Sequence, residues 1–361
     1  MYDEVVENIL KFLDENLMAA AYPKFSGEGY KAHKIDAKNF HQINKTSSNK
    51  KIAFIDGGNA EIIASANFSL NLIRVCYVIY QNNKKIIYKK FELLAFIQAV
   101  NQNNEIHYKI TFFKTKNSIE LDEMSFSSFD RTLMMGINRV EISSVTNAIR
   151  RFAELKLAKL IADEKIADII VLDGNLQSTL TNESKYLNEL YETCSENNII
   201  LTALSKTTSL FTDNGNLLSV VLGNISKLAA WYYYPVVEIN NMSHKAEMFF
   251  AKFHSDSKHI FRFEMFNAQK LKAEETMNAL ASNCIDPIFI GYPYGLVEAD
   301  RIGRVGNQEK ESLKTIFLIK LKSYRSKASG ELKNKKFLSN KNIEKYLSSV
   351  NAHEILDKIS F

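Results

Sequence analysis

Three consecutive segments between residues 66 and 114 alternate apolar with polar positions and are rich in Val, Ile, Tyr and Phe. They read "ANFSLNLIRVCYVIYQ" (66–81), "KKIIYKKFELLAFIQAV" (84–100) and "EIHYKITFFK" (105–114). A period of two residues with this composition is typical of half-buried strands, and Asn82-Asn83 between the first two is a turn signal. The pattern therefore predicts an antiparallel meander.

The period changes to that of a helix from about Ser143. "SSVTNAIRRFAELKLAKLIADEKIA" (143–167) predicts a helix of at least four turns, and "ADIIVLDGN" (167–175) predicts a short buried strand. A second helical segment (183–198) and another apolar strand (199–208) follow, and then a hairpin spanning 246–266. Strands alternating with helices in this order imply parallel pairing, so we expect an α/β fold with a mixed sheet flanked by helices.

The composition favours one elaborated domain. The chain has 361 residues, 46% of them hydrophobic and 24% charged, with few Pro (4) and Gly (13) to form linkers. We divide it into an N-terminal helical segment (1–50), a central α/β domain (51–319) and a basic C-terminal helical extension (320–361).

The cellular setting is predicted from the cysteines and the absence of targeting signals. Cys76, Cys194 and Cys284 are far apart, which argues against a disulfide framework or zinc knuckle and favours a reducing compartment. The N-terminus "MYDEVVENILKFLDENL" is an acidic amphipathic helix rather than a signal peptide, and no run reaches the ~20 apolar residues of a membrane span. We expect a soluble cytoplasmic protein.

Positive charge is concentrated near the C-terminus. Residues 320–345 carry nine Lys or Arg against two acids, in a chain whose net charge is +5. Such a run is either a solvated face or a contact for a polyanion such as DNA, with Lys333, Lys335 and Lys336 as the candidate phosphate contacts.

Two predicted strands share an ending. "IAFIDGG" reaches its turn signal at Asp56, and "IIVLDGN" does so at Asp173. If the strands are neighbours, both carboxylates emerge at the same edge, where two like charges are costly unless a divalent cation neutralises them. Each Asp alone is also consistent with an ordinary turn.

A third acid comes from the helix between these strands. Glu154 shares a face with the apolar Leu157, Ala158 and Ile161, and Arg150 and Arg151 lie one turn earlier. Either Glu154 pairs with the arginines, or it completes a carboxylate trio suited to two-metal phosphodiester hydrolysis.

These motifs, in this order, resemble those of the NurA nucleases of archaea and some bacteria, whose fold is RNase H-like. "IDGG" (55–58), the helix acid and "LDG" (172–174) match the family's order, as does the interval from Glu154 to Asp173. "GYPYGLVEADRIGRV" (291–305) is similar to the family's C-terminal signature, which has a Tyr-Pro and, eight residues after the Tyr, a metal-site His. The matching position here is Asp300, which is still a competent ligand for Mn²⁺ or Mg²⁺.

The resemblance implies a metal-dependent DNA nuclease with 5′→3′ exonuclease and single-strand endonuclease activity. It implies two ions, Mn²⁺ or Mg²⁺, held by Asp56, Glu154, Asp173 and Asp300, with Lys206 and Tyr292 as catalytic groups and Arg150 and Arg151 contacting DNA. It further implies a homodimer that works with the hexameric ATPase HerA in DNA-end resection during double-strand break repair.

Several readings stay open. Lys206 is either a phosphate contact or a surface residue that ends a strand, and "WYYYP" (231–235) either stacks bases or packs in a core or interface. The whole chain is either a nuclease or a non-catalytic adaptor that binds DNA ends or HerA, with Asp300 marking a degraded site.

Overall fold

The chain is described by a computed structural model that covers residues 2–15, 21–46, 48–65 and 67–331. Its helices are α1 (Tyr2–Glu15), α2 (Ile142–Asp163), α3 (Glu183–Glu196), α4 (Leu218–Ile225), α5 (Ala273–Ala281), α6 (Tyr294–Gly303) and α7 (Asn307–Glu331). No helix among these residues is long and apolar enough to cross a membrane.

Thirteen strands are found in the same residues. They are β1 (Tyr30–Ala32), β2 (Phe40–Gln42), β3 (Ile52–Ser65), β4 (Phe68–Gln81), β5 (Lys84–Gln102), β6 (Glu105–Lys114), β7 (Ser125–Ser127), β8 (Ile169–Asp173), β9 (Ile200–Ser205), β10 (Trp231–Tyr233), β11 (Val237–Ile239), β12 (Ala246–Lys252) and β13 (Phe261–Phe266).

Eleven strands form one mixed sheet in the order β2-β10-β12-β13-β9-β8-β3-β4-β5-β6-β7. β3 pairs parallel with β8 and β8 pairs parallel with β9, whereas β12, β13 and β9 are joined by antiparallel pairing. The mixed α/β sheet flanked by helices is thus confirmed. β1 and β11 form a separate two-stranded sheet, and the short strands β1 and β2 were not predicted.

The predicted turn at Asn82-Asn83 is also present, and a second turn of the same kind precedes β6. Asn82 and Asn83 have φ of 50° and 57°, and Asn103 and Asn104 repeat this left-handed conformation before β6. Two successive residues with positive φ form the tight hairpin turn whose twist matches the strands on either side. The antiparallel register of β5 with β6 runs from Leu93 opposite Lys114 to Gln102 opposite Glu105.

The chain divides into two compact units along these elements. The first comprises residues 1–56, 77–89 and 157–301, and the second comprises 57–76, 90–156 and 302–361. In the first unit, β8 and β9 are buried along almost their whole length, as parallel strands covered on both faces should be. In the second, Ile62, Ile63 and Leu72 form a core against which Leu313 and Phe317 of α7 pack.

Helix α6 packs on β3 through a glycine. A Cβ atom built on Gly295 would overlap the ring of Phe54, which is fully buried in β3. Only glycine permits this approach, so the residue fixes how closely α6 lies against the strand that carries Asp56.

We expect Gly295→Ala to destabilise the protein, because overpacking a filled core costs about 1–3 kcal/mol. Gly306→Ala is the matched control, since a Cβ there would have no neighbour within 4 Å. Thermal unfolding of the two variants measures the difference. Equal unfolding temperatures would show that Phe54 yields to the added methyl group at no cost.

Candidate metal and phosphate site

The site begins where the parallel pairing of β3 and β8 stops. Ile55 is opposite Leu172 in the last registered pair, and the next residues along the two strands are Asp56 and Asp173. Neighbouring parallel strands present their carboxyl ends at one edge of a sheet, so both acids emerge there, as the sequence predicted.

Asp56 does not lie at a strand tip, however, and this part of the prediction is wrong. β3 continues through Gly57 and Gly58 to Ser65. A Cβ on Gly57 would lie 2.8 Å from Glu154 Oε1 and 3.1 Å from the carbonyl oxygen of Arg74. The two glycines therefore serve close packing within the strand rather than a turn, which is the other common reason for glycine in a strand.

Lys206 brings three carboxylates together. It follows directly after β9, and its Nζ lies 2.7 Å from Asp173 Oδ2, 3.2 Å from Asp300 Oδ1 and 3.7 Å from Asp56 Oδ2. The side chain of Asp56 is 6% exposed, those of Asp173 and Asp300 are 21% and 39% exposed, and that of Lys206 is 37% exposed. We call these four residues the acidic cluster.

The ammonium of Lys206 is held in its charged form. Burial lowers the pKa of Lys206, but the hydrogen bond and charge of Asp173, followed by the charges of Asp56 and Asp300, outweigh burial and raise it. A single positive charge thus faces three negative ones at this edge of the sheet.

Tyr292 contributes a buried hydroxyl near the cluster. Its ring is 1% exposed, and its hydroxyl has no hydrogen-bond partner among the described residues. Burial, and then the charges of Asp173, Asp56 and Asp300, raise the pKa of Tyr292, so the hydroxyl stays a proton donor. A buried polar atom without a partner is uncommon in proteins and points to a missing ligand or water.

Helix α6 carries Asp300 and is anchored two residues earlier, at Glu298. Glu298 accepts hydrogen bonds from Tyr80 at 2.5 Å and Lys85 at 2.9 Å, and it also pairs with Arg301. Burial raises the pKa of Glu298, but the Tyr80 and Lys85 hydrogen bonds outweigh burial and lower it. The helix is thereby fixed by a buried carboxylate and by the Gly295 contact.

Glu154 belongs to the second unit and has its own partners there. Arg150 Nη1 donates to Glu154 Oε1 at 2.7 Å and to the carbonyl oxygen of Gly57 at 3.1 Å, and Arg151 Nη1 lies 4.0 Å from Glu154 Oε2. Pairing with the arginines, one of the two readings of the sequence, is thus present. Glu154 is only 5% exposed.

The acidic cluster has the chemistry of a divalent-cation site. Carboxylate oxygens are the ligands preferred by Mg²⁺ and Mn²⁺, and here three carboxylates converge on one cationic nitrogen. No group of three or more His, Cys, Asp or Glu in the described part of the chain is arranged to hold a metal ion directly. The carboxylate oxygens of the acidic cluster suit such an ion, provided that the Lys206 ammonium moves out of the position between them.

Comparison with known proteins identifies the family. The family model described as "NurA domain" matches residues 50–305, which include every residue of the acidic cluster. This chain belongs to the NurA family. A search of curated proteins gave no match.

A solved NurA structure shares the fold. The crystal structure of the NurA nuclease from Sulfolobus solfataricus superimposes with a TM-score of 0.51 at 15% identity, covering 90% of this chain and 97% of that one. The mixed α/β sheet flanked by helices is therefore shared with a solved NurA nuclease.

Other residues singled out in the sequence have different outcomes. Trp231, Tyr232 and Tyr233 form β10 and are buried, with Trp231 and Tyr233 in a core that includes Phe250, so this NurA chain uses them for packing. Lys333, Lys335 and Lys336 lie outside the described residues, and their contact with DNA stays a prediction.

A layer of polar residues around the buried Glu264 of β13 was not predicted from the sequence. Glu264 and His244 are buried, and the partly buried Arg262 of β13 completes this layer. The signal was an acid inside the apolar strand "FRFEMF", where an unpaired carboxylate would be very costly.

We expect Lys206→Met to lower the unfolding temperature in EDTA at pH 7, because three carboxylates then lose their common counter-charge. The loss should be smaller than the ~3–5 kcal/mol of a fully buried pair, since Lys206 is partly exposed. The folded pKa of Lys206 is raised, so its contribution is complete below about pH 10 and disappears only as the pH rises through the folded pKa.

Lys85→Met is the matched control, because Lys85 is similarly exposed at 41% but, among the described carboxylates, pairs only with Glu298. Thermal unfolding at pH 7 compares the two variants. An equal loss for both at pH 7 would contradict the view that Lys206 neutralises several acids at once.

Proposed function

We propose that this NurA chain is a metal-dependent DNA nuclease that hydrolyses phosphodiester bonds at the acidic cluster. The observation that carries the proposal is the convergence of Asp56, Asp173 and Asp300 on the Lys206 ammonium, where the parallel pairing of β3 and β8 ends. Membership of the NurA family supports a nuclease, and the Sulfolobus protein of the same fold is titled a nuclease.

The metal ligands in this proposal are Asp56, Asp173 and Asp300. Glu154 is retained as a further ligand on the order of motifs in the sequence. We propose two ions, Mn²⁺ with Mg²⁺ as an alternative, since four carboxylates offset the charge of two divalent cations. When bound, such ions activate water and neutralise the phosphate.

The other residues of the cluster act on the substrate. Lys206 is positioned to exchange its carboxylate contacts for a non-bridging phosphate oxygen, because an ammonium binds either anion. The Tyr292 hydroxyl, which has no hydrogen-bond partner in the described part of the chain, donates to a phosphate oxygen or to an ordered water. Arg150 and Arg151 contact the DNA backbone, in keeping with their charge and their place one turn before Glu154.

The biological setting follows from the resemblance to NurA nucleases. We infer a cytoplasmic homodimer with 5′→3′ exonuclease and single-strand endonuclease activity. It acts with a HerA-type hexameric ATPase in DNA-end resection for double-strand break repair, and Lys333, Lys335 and Lys336 add phosphate contacts.

The second candidate is a non-catalytic adaptor that binds DNA ends or HerA. The observation that favours it is Asp300, which stands where the family signature has a metal-site His. An adaptor does not need to bind divalent metal or cleave DNA. The nuclease and the adaptor therefore make opposite predictions for the same variants.

We expect Asp173→Asn to reduce DNA cleavage by at least ~10³-fold, because it removes several kcal/mol of metal-dependent transition-state stabilisation. Asp168→Asn is the matched control. Asp168 precedes the other end of β8 and accepts a hydrogen bond from the Lys51 amide at 2.7 Å. Cleavage of end-labelled single- and double-stranded DNA with Mn²⁺, Mg²⁺ or EDTA measures both variants.

DNA binding in EDTA should survive in the Asp173→Asn protein, since phosphate contacts by cationic residues do not need the metal. A folded Asp173→Asn protein that cleaves at the parent rate would place the nuclease site elsewhere. A parent protein that binds DNA but cleaves none with any divalent ion would favour the adaptor.

We expect Asp300→Ala to raise the Mn²⁺ concentration that gives half-maximal cleavage, because one of the converging carboxylates is lost. Asp300→His should retain activity with Mn²⁺ and lose more with Mg²⁺, since imidazole suits Mn²⁺ better than it suits the harder Mg²⁺. Metal titrations of the three proteins test this. If the Mn²⁺ titration curves of the three proteins superimpose, and their Mg²⁺ curves do so too, Asp300 is not a metal ligand.

A further inference from the structure

The backbone that follows Asp173 is held by hydrogen bonds at Gly174 and at Leu176. The Gly174 amide donates to the carbonyl oxygen of Leu204 at 3.0 Å, and Ser205 Oγ donates to the carbonyl oxygen of Gly174 at 2.8 Å. At Leu176 the tie is stronger, because both of its backbone groups are held by side chains. Tyr191 Oη donates to the Leu176 carbonyl oxygen at 2.8 Å, and the Leu176 amide donates to Glu264 Oε2 at 2.7 Å.

Glu264 is an unusual partner for a backbone amide. It lies on β13 opposite Ala203 of β9, and it is fully buried. A carboxylate in such a place is costly unless other charges and donors surround it. Burial raises the pKa of Glu264, but the charge of Arg262, then His244 and the Leu176 amide, hold it down at about 2.

The surrounding groups use both carboxylate oxygens. Arg262 donates to Oε1 from Nε at 2.7 Å and from Nη2, and His244 Nε2 lies 3.1 Å from Oε2. On its other side, His244 Nδ1 is 2.9 Å from the hydroxyl of Tyr30. Oε1 thus serves Arg262, and Oε2 serves Leu176.

This division of roles requires a carboxylate rather than an amide. Gln at the same position has one acceptor oxygen and one NH₂ donor. In one orientation the Gln oxygen accepts from Arg262, and its NH₂ group then faces the N–H of Leu176. In the other orientation the oxygen accepts from Leu176, and the NH₂ group then faces the guanidinium of Arg262. One donor is left against another donor in either orientation, and a buried donor without an acceptor is costly.

We propose that Glu264 is a positioning residue for the metal site: its carboxylate holds the Leu176 amide and, together with the ties at Gly174, keeps Asp173 in the acidic cluster. The assignment rests on the proposed nuclease function and extends it to a layer that touches no substrate. A positioning role also explains why a charged residue is buried here. Stability alone does not explain it, because hydrophobic replacements of buried ion pairs are often neutral or stabilising.

Direct binding of Mn²⁺ to the full chain tests the proposal, with free Mn²⁺ measured by electron paramagnetic resonance. We expect Glu264→Gln to bind Mn²⁺ ~10–100-fold more weakly, the usual effect of losing an outer-shell partner of a ligand. In an Asp173→Asn background, Glu264→Gln should cause no further loss, because the two residues act through the same ligand. If Glu264→Gln does not fold, Glu264→Asp replaces it, since the shorter carboxylate keeps the charge but withdraws from the Leu176 amide.

Gln269→Leu is the matched control for general damage to the core. Gln269 is also buried and also clamps backbone, bonding the Leu201 amide at 2.9 Å and the Ile199 carbonyl at 2.6 Å at the opposite end of β9. It should lower the unfolding temperature and leave Mn²⁺ affinity within about twofold.

The outcomes separate the two proposals. A parent chain that does not bind Mn²⁺ overturns both the nuclease function and the positioning role. A parent and a folded Glu264 variant with the same affinity overturn the positioning role alone. An equal loss of affinity in Gln269→Leu also overturns it, because the effect would then be that of any weakened core.

Discussion

Like-charge repulsion between Asp56 and Asp173, where the pairing of β3 with β8 ends, is the constraint on which the rest of the structure depends. Two unit charges 4 Å apart repel by about 4 kcal/mol at an effective dielectric constant of about 20. Asp56 and Asp173 lie side by side because the parallel register pairs Ile55 with Leu172 immediately before them. A cation must therefore be present among them, and Lys206 supplies one charge.

The surrounding elements hold the acids against this repulsion. Gly295 lets α6 approach β3, Glu298 anchors the helix that presents Asp300, and Glu264 ties the backbone behind Asp173. Each is a buried, specific contact rather than a flexible surface pair. The geometry of the acidic cluster is thus imposed by packing, which is what the proposed metal site requires of its ligands.

The sequence predicted which helices and strands are present better than it predicted where they end. Periodicity identified α2, the strands β8 and β9 and the β12–β13 hairpin, because these signals are local. It placed Asp56 at a strand tip because Gly57-Gly58 resembles a turn, whereas the reason for the glycines is a close approach by residues far away in the chain. The convergence of Lys206 and Asp300 on the two strand acids, and the Glu264 layer, are tertiary features that no local pattern encodes.

The central claim is that the acidic cluster holds divalent metal, and crystals soaked in Mn²⁺ test it most directly. Anomalous scattering should reveal at least one Mn²⁺ peak about 2.0–2.3 Å from carboxylate oxygens of Asp56 and Asp173, with Lys206 Nζ moved away from both. Anomalous peaks only at other positions, with Lys206 still bonded to Asp173, would contradict the account.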